Sequence, residues 1–270
     1  MAGLNTGGQR FAGDDGAADP HIAAVLAAYG AGRDSEQAAL TALAGARLLV
    51  PLVERPAGAD EAGPGEAHPE EAHDGCDHQA AREMAFPTLI GRDGRPALLA
   101  FTSLAALVAW RPEARPVPTP AEQVWGSAVT DAGAVVIDVA GPVPIAVDGT
   151  RLAALAAGGP PPAPHDDPDV RAEAAAALAE LPAGPGAVVT GAEPAAGPDG
   201  TDLAVTLLIT PAGPAPADQA GLQADLQQAV QRAAEAIAAR LASRFRRGIQ
   251  FSAVLAPATP AAPAPSRAHG

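Results

Sequence analysis

Met84 to Trp110 reads MAFPTLIGRDGRPALLAFTSLAALVAW, and this stretch decides the fold. Met84–Ile90 and Pro96–Phe101 have strand composition, and Gly91-Arg92-Asp93-Gly94-Arg95 between them carries glycines where a hairpin turn needs positive φ. Thr102 or Ser103 then caps a helix whose Leu104, Leu107, Val108 and Trp110 share a face for burial, and Pro112 ends it. Two strands, a turn and a capped helix in so few residues predict a sheet with helices packed on it.

Working outward, Asp19-Pro20 pairs an N-cap with proline at the first helical position and opens a helix His21–Tyr29 that stops at Gly30. Ser35 caps a second helix with Leu40 and Leu43 on one face, closed by Gly45. Arg47–Val53 (RLLVPLV) is a continuous apolar run of strand length. Beyond the central stretch, a helix is expected over Pro120–Thr130, strands over Ala134–Val139 and Val143–Val147, and a helix over Arg151–Ala157. Gly158–Pro168 (GGPPPAPHDDP) reads as a linker, because prolines lack donors and glycines favour the open chain. After it come a helix Asp169–Leu181, strands Gly186–Glu193 and Asp202–Thr210, a long helix Asp218–Arg247 and a strand Gly248–Leu255. Leu222, Leu226, Val230, Ile237, Leu241 and Phe245 form the apolar stripe of the long helix.

The expected class is α+β, in two domains that each pack helices on a small mixed or antiparallel sheet. Residues 1–18 are a flexible N-terminus, 19–157 the first domain, 158–168 the linker, 169–256 a smaller second domain and 257–270 a Pro/Ala tail expected to sample polyproline II. Within the first domain, residues 54–83 hold nine acids against Arg55 and Arg82 with no apolar periodicity, which predicts a solvated, disordered insertion. That insertion carries half of the net charge of −14, so the folded body is nearer neutral.

All seventeen basic residues are arginine, a bias that accompanies the Ala, Gly and Pro enrichment of a GC-rich coding sequence. The acidic balance argues against non-specific binding of nucleic acid or anionic membranes. The polar, acidic start lacks the pattern of an export signal, and no apolar run reaches transmembrane length. Cys76, the one cysteine, cannot form an internal disulfide, which fits a cytoplasmic location.

Few residues propose chemistry. His68, His73, Cys76 and His78 are zinc or nickel ligand types, but H-x4-H-x2-C-x-H matches no structural zinc spacing and lies in the Pro, Gly and Glu-rich insertion, so no metal site is assigned and metal binding through the insertion stays a second functional alternative. Asp74 and Asp77 disfavour a Cys76 thiolate. Ser103 and Ser127 lack a nucleophile-elbow setting. The 91–94 turn lacks the glycine spacing of a phosphate loop. Arg240, Arg244, Arg246 and Arg247 complement the negative end of the long helix, with binding of an acidic protein or RNA as the functional alternative. Trp110 and Trp125 read as core anchors. No catalytic residue, cofactor site or metal site follows, and the partner expected is a protein or a small metabolite.

Met84-Ala-Phe-Pro-Thr-Leu, Gly91-Arg-Asp-Gly-Arg-Pro-Ala, Phe101-Thr-Ser and Trp110-Arg-Pro together resemble the N-terminal domain of the SseB (enhanced serine sensitivity) family in its actinobacterial form. Phe11-Ala-Gly-Asp-Asp-Gly, Ala18-Asp-Pro20 and Ala44-Gly-Ala-Arg-Leu-Leu-Val-Pro51 are similar to the opening of the same proteins, so the resemblance covers residues 11–157. The second domain is similar in layout to the family's C-terminal domain. The resemblance implies a two-domain, cytosolic, non-enzymatic α+β protein of unknown biochemical activity, a regulator or adaptor linked by name to serine tolerance. It supplies no catalytic residues. If function lies near the hairpin, its exposed side at Arg92, Asp93 and Arg95 is the place.

Overall fold

The computed structural model describes residues 11, 13–56, 82–91, 94–182, 186–198, 200–212 and 219–255. Among them are seven helices and ten strands, in three small sheets of antiparallel or mixed type, an α+β fold. The chain divides into two compact units between Pro162 and Ala163.

In the first unit, α1 (Pro20–Gly30) starts where Asp19 accepts hydrogen bonds from the amides of His21 and Ile22, and α2 (Glu36–Leu43) starts where Ser35 accepts from Ala38. β1 (Arg47–Pro56) follows. It is apolar at consecutive positions because both of its faces are covered: Leu48 and Val50 enter one core cluster, Leu49 and Val53 another.

The continuous first strand expected over Met84–Ile90 is split in two. β2 (Arg82–Ala85) pairs antiparallel with β1, whereas β3 (Thr88–Ile90) pairs antiparallel with β4 (Pro96–Ala100). The break falls at Phe86-Pro87, where proline withholds the amide a continuous ladder needs. The hairpin turn itself forms as expected, with the Gly91 amide donating to Arg95 O at 2.8 Å and Gly94 at φ +78°. Ser103 caps α3 (Leu104–Trp110) by accepting from the Ala106 amide. The expected buried face is narrower than its pattern: Leu107 is buried, but Leu104 and Val108 are 37% and 43% exposed.

β5 (Arg115–Pro120) was not expected, since RPVPTP contains three prolines. It pairs antiparallel with β1 at the end of the order β2-β1-β5. Prolines at every second position direct all the missing donors to one side, so Arg115, Val117 and Thr119 are left to bond β1. α4 (Ala121–Asp131), β6 (Ala134–Ile137), β7 (Ile145–Asp148) and α5 (Gly149–Ala156) follow the expected order. The last sheet runs β3-β4-β6-β7, with β4 and β6 parallel. A reciprocal pair of backbone bonds between Leu49 and Phe101 joins β1 to the end of β4. Trp125, fully buried, anchors the larger core and donates its ring N–H to Ala44 O at 3.2 Å.

The segment read as a linker forms neither helix nor strand from Gly159 to Asp167, and it makes specific contacts. Pro161 is buried and its carbonyl accepts from Gln37 Nε2 at 3.3 Å. Asp167-Pro168 repeats the cap-and-proline signature of Asp19-Pro20 and opens α6 (Pro168–Ala179).

In the second unit, β8 (Gly186–Ala196) and β9 (Leu203–Ala212) form an antiparallel pair, α7 (Gln219–Leu241) crosses over, and β10 (Ile249–Leu255) lies parallel to β9. Leu203, Val205 and Leu207 pack against Ala233, Ile237, Leu241 and Phe245. The stripe on α7 is buried fully only in its C-terminal half; Leu222, Leu226 and Val230 are half-buried. The helix ends at Leu241 rather than Arg247.

Candidate functional site

The segments with the sharpest sequence pattern in the first unit converge at one junction. The strap Gly13–Asp19 folds on itself through short side-chain turns: Asp14 accepts from the Gly16 amide at 2.8 Å, and Asp15 from the Ala17 amide at 2.9 Å. Gly16 sits at φ +73°, and a Cβ there would stand 2.9 Å from Leu104 Cβ, so the strap can lie close on α3 only with glycine. Its carbonyl accepts from the Leu104 amide at 2.7 Å.

Arg47, at the start of β1, fastens this strap. Its guanidinium pairs with Asp14 at 2.7 Å and also donates to the carbonyls of Ala17 and Thr102. Beside it, Thr102 donates its amide at 2.8 Å and its hydroxyl at 2.6 Å to the carboxylate of Asp138. Asp138 follows β6, so it lies at the ends of the parallel pair β4 and β6. It is buried and adopts φ +49°, in the left-handed region that few residues other than glycine, asparagine and aspartate enter. Burial pushes its carboxyl above the ordinary value, against the opposing pull of the two Thr102 bonds.

Next to the junction lies an open cleft of about 620 Å³. Ala17, Ala18, Ala42, Gly45 and Ala46 give it a small-residue lining, with Asp15, Asp19 and His21 among the remaining wall residues. The arginine at its edge is already committed to the strap. The arrangement therefore offers shape and a partly acidic rim, with its buried carboxylate and its guanidinium turned to internal bonds.

The sequence-stated candidates fall elsewhere. Ser103 is the α3 cap. Ser127 lies inside α4 without joining the junction. Trp110 stacks at 5.5 Å on Phe101 and carries Arg111 over its ring at 4.9 Å, so it serves the second core cluster. Arg95 is exposed, 3.9 Å from Asp148, while Arg92 and Asp93 lie outside the described residues. His68, His73, Cys76 and His78 also lie outside them; among the described residues no group of three His, Cys, Asp or Glu side chains is placed to hold a metal.

Of the arginines expected to complement the helix end, Arg240 lies in the last turn of α7 as expected, and the others lie beyond it. Arg240 bridges Glu173 and Glu180, Arg244 meets the wholly buried Asp167 at 2.8 Å, and Arg247 meets Asp202 at 2.8 Å. Arg244, Arg246 and Arg247 lie past the helix end, so their link to it through its dipole is replaced by pairing to acids of other elements for Arg244 and Arg247.

Sequence reasoning missed Asp14, Arg47, Thr102 as a ligand of Asp138, and Asp138 itself. The available signal for Asp138 was its place directly after an apolar strand, ahead of Gly141-Pro142.

A family model described as the SseB protein N-terminal domain matches residues 22–154. The match holds Arg47, Thr102 and Asp138 and begins just after the strap. No curated protein and no solved structure matches the chain. Among the described residues no helix is long and apolar enough to cross a membrane.

Proposed function

The chain belongs to the SseB family through the SseB N-terminal domain at residues 22–154, and from that premise we propose that it is a non-enzymatic cytosolic regulator or adaptor that receives a partner in the cleft beside Arg47. The observation that carries this reading is how the polar groups at the junction are used. Arg47 is bound to Asp14 and two carbonyls, and Asp138 to Thr102. Catalysis by acid, base or nucleophile needs such a group within reach of a substrate proton or carbonyl. A small-residue cleft between a strap and two helices instead suits insertion of a partner's side chain or a small metabolite. The family's serine link is the context in which such a regulator would act.

The test is affinity purification of the full chain from its native cell, with bound proteins and metabolites identified by mass spectrometry. Ala42→Arg, which fills the cleft from α2, is expected to release the bound set, and deletion of residues 58–80, which spares the paired ends of β1 and β2 that run into the insertion, to retain it. A bound set unchanged by Ala42→Arg would overturn the reading.

A further inference from the structure

β10 is an edge strand that lacks the usual protections. It bonds to β9 on one side over all seven residues, and among the described residues nothing bonds its other side. Exposed edges are ordinarily kept from pairing by charge, proline, a bulge or shortness. IQFSAVL has no charge and no proline, and its register with β9 is unbroken. Its last residues are exposed, Leu255 to 63%. Beside that end a cleft of about 380 Å³ opens between β10 and the first half of α7, lined by Leu226, Val230, Ile209 and Leu255 among others.

We propose that this edge is the interface of a two-fold dimer, in which β10 pairs antiparallel with β10 of a second copy of this chain about an axis through Ser252. The strand is self-complementary in that register. Phe251 comes opposite Ala253, large against small, and Ile249 opposite Leu255, all on the face that carries the core; Gln250 comes opposite Val254 on the other. Ile249 of each copy is thereby brought to the apolar cleft at the other's Leu255.

Charge does not bar this occupant. Residues 54–83 carry half of the net charge of −14, so the rest of the chain opposes a second copy less than the total suggests. Among the described residues none of β10 or of the cleft beside it is ionisable, so these residues of two copies meet without burying or opposing charges. The tail after β10 is a poorer occupant on its sequence: prolines at 257, 260, 263 and 265 fall at both odd and even positions, which denies an edge its alternate donors in either register.

Ser252 lies opposite itself in this pairing, and that gives the test. It is exposed, and among the described residues its hydroxyl meets only Thr206 Oγ1, at 3.1 Å, so its replacement leaves the core untouched. Sedimentation equilibrium of the full chain should give twice 26.6 kDa for the wild type. Ser252→Lys and Ser252→Glu should each sediment at 26.6 kDa, because like charges face each other across the axis. An equimolar mixture of the two should return to the dimer mass, which also shows that both are folded. A wild type that stays monomeric leaves the edge to some other partner and overturns the proposal. So does a dimer that survives Ser252→Lys, or a mixture that stays monomeric.

Discussion

β5 and β10 each end a three-stranded sheet, and they treat their outer edge in opposite ways. β5 places Pro116, Pro118 and Pro120 at alternate positions, so the side away from β1 has no amide to offer. β10 presents an uncharged, proline-free edge of seven residues. The interiors of the two units are nonetheless closed by the same device, an arginine on a buried carboxylate: Arg151 on Glu36 in the first, Arg244 on Asp167 in the second. The units thus share a way of holding elements together and differ in what they leave open. The first is closed along its proline edge and offers a cleft; the second offers a strand.

The largest effects should come from the shared device. Arg151→Ala leaves the Glu36 carboxylate buried without its cation, and Arg244→Ala does the same to Asp167. Each should cost about 3–5 kcal/mol in urea unfolding. A loss under about 1 kcal/mol for one and not the other would break the likeness between the interiors.

Next in size is the junction. Asp138→Ala removes the acceptor from both the amide and the hydroxyl of Thr102, for an expected loss of about 1–3 kcal/mol. Asp138→Asn keeps an acceptor and tolerates the positive φ, so it should be far milder. Its pH dependence fixes the sign. The folded carboxyl binds its proton more tightly than the unfolded one, so the wild type loses stability as pH rises from the ordinary aspartate value through the raised one. Asp138→Asn should lack that decline, and thermal melts of both across the acid range check it.

The smallest effect on stability belongs to Pro118→Val. It should stay within about 0.5 kcal/mol of the wild type, since the restored amide faces outward. Its readout is association: light scattering of this variant should show new self-association through β5, and its absence would mean that the prolines are not what guards that edge.

How much of this was legible follows from what each signal depends on. Helix starts at Asp19 and Ser35 and the hairpin at Gly91–Arg95 depend on residues close in sequence, and they were readable. β5 was hidden because proline argues against a strand until its spacing is matched to one edge, which requires knowing the neighbour. Asp167-Pro168 carried the same cap signal as Asp19-Pro20 but was masked by the Gly and Pro residues before it. The junction was the least visible. Arg47, Asp14, Thr102 and Asp138 span more than a hundred positions and meet only because β1 crosses to the end of β4 and β6. No spacing rule links them.

The division between a guarded and an open edge is tested most directly by hydrogen–deuterium exchange on the full chain at two protein concentrations well apart. Amides of Ile249–Leu255 should exchange more slowly at the higher concentration, while those of Arg115–Pro120 stay the same at both. Exchange in β10 that is independent of concentration, or protection that grows equally in β5, would contradict it.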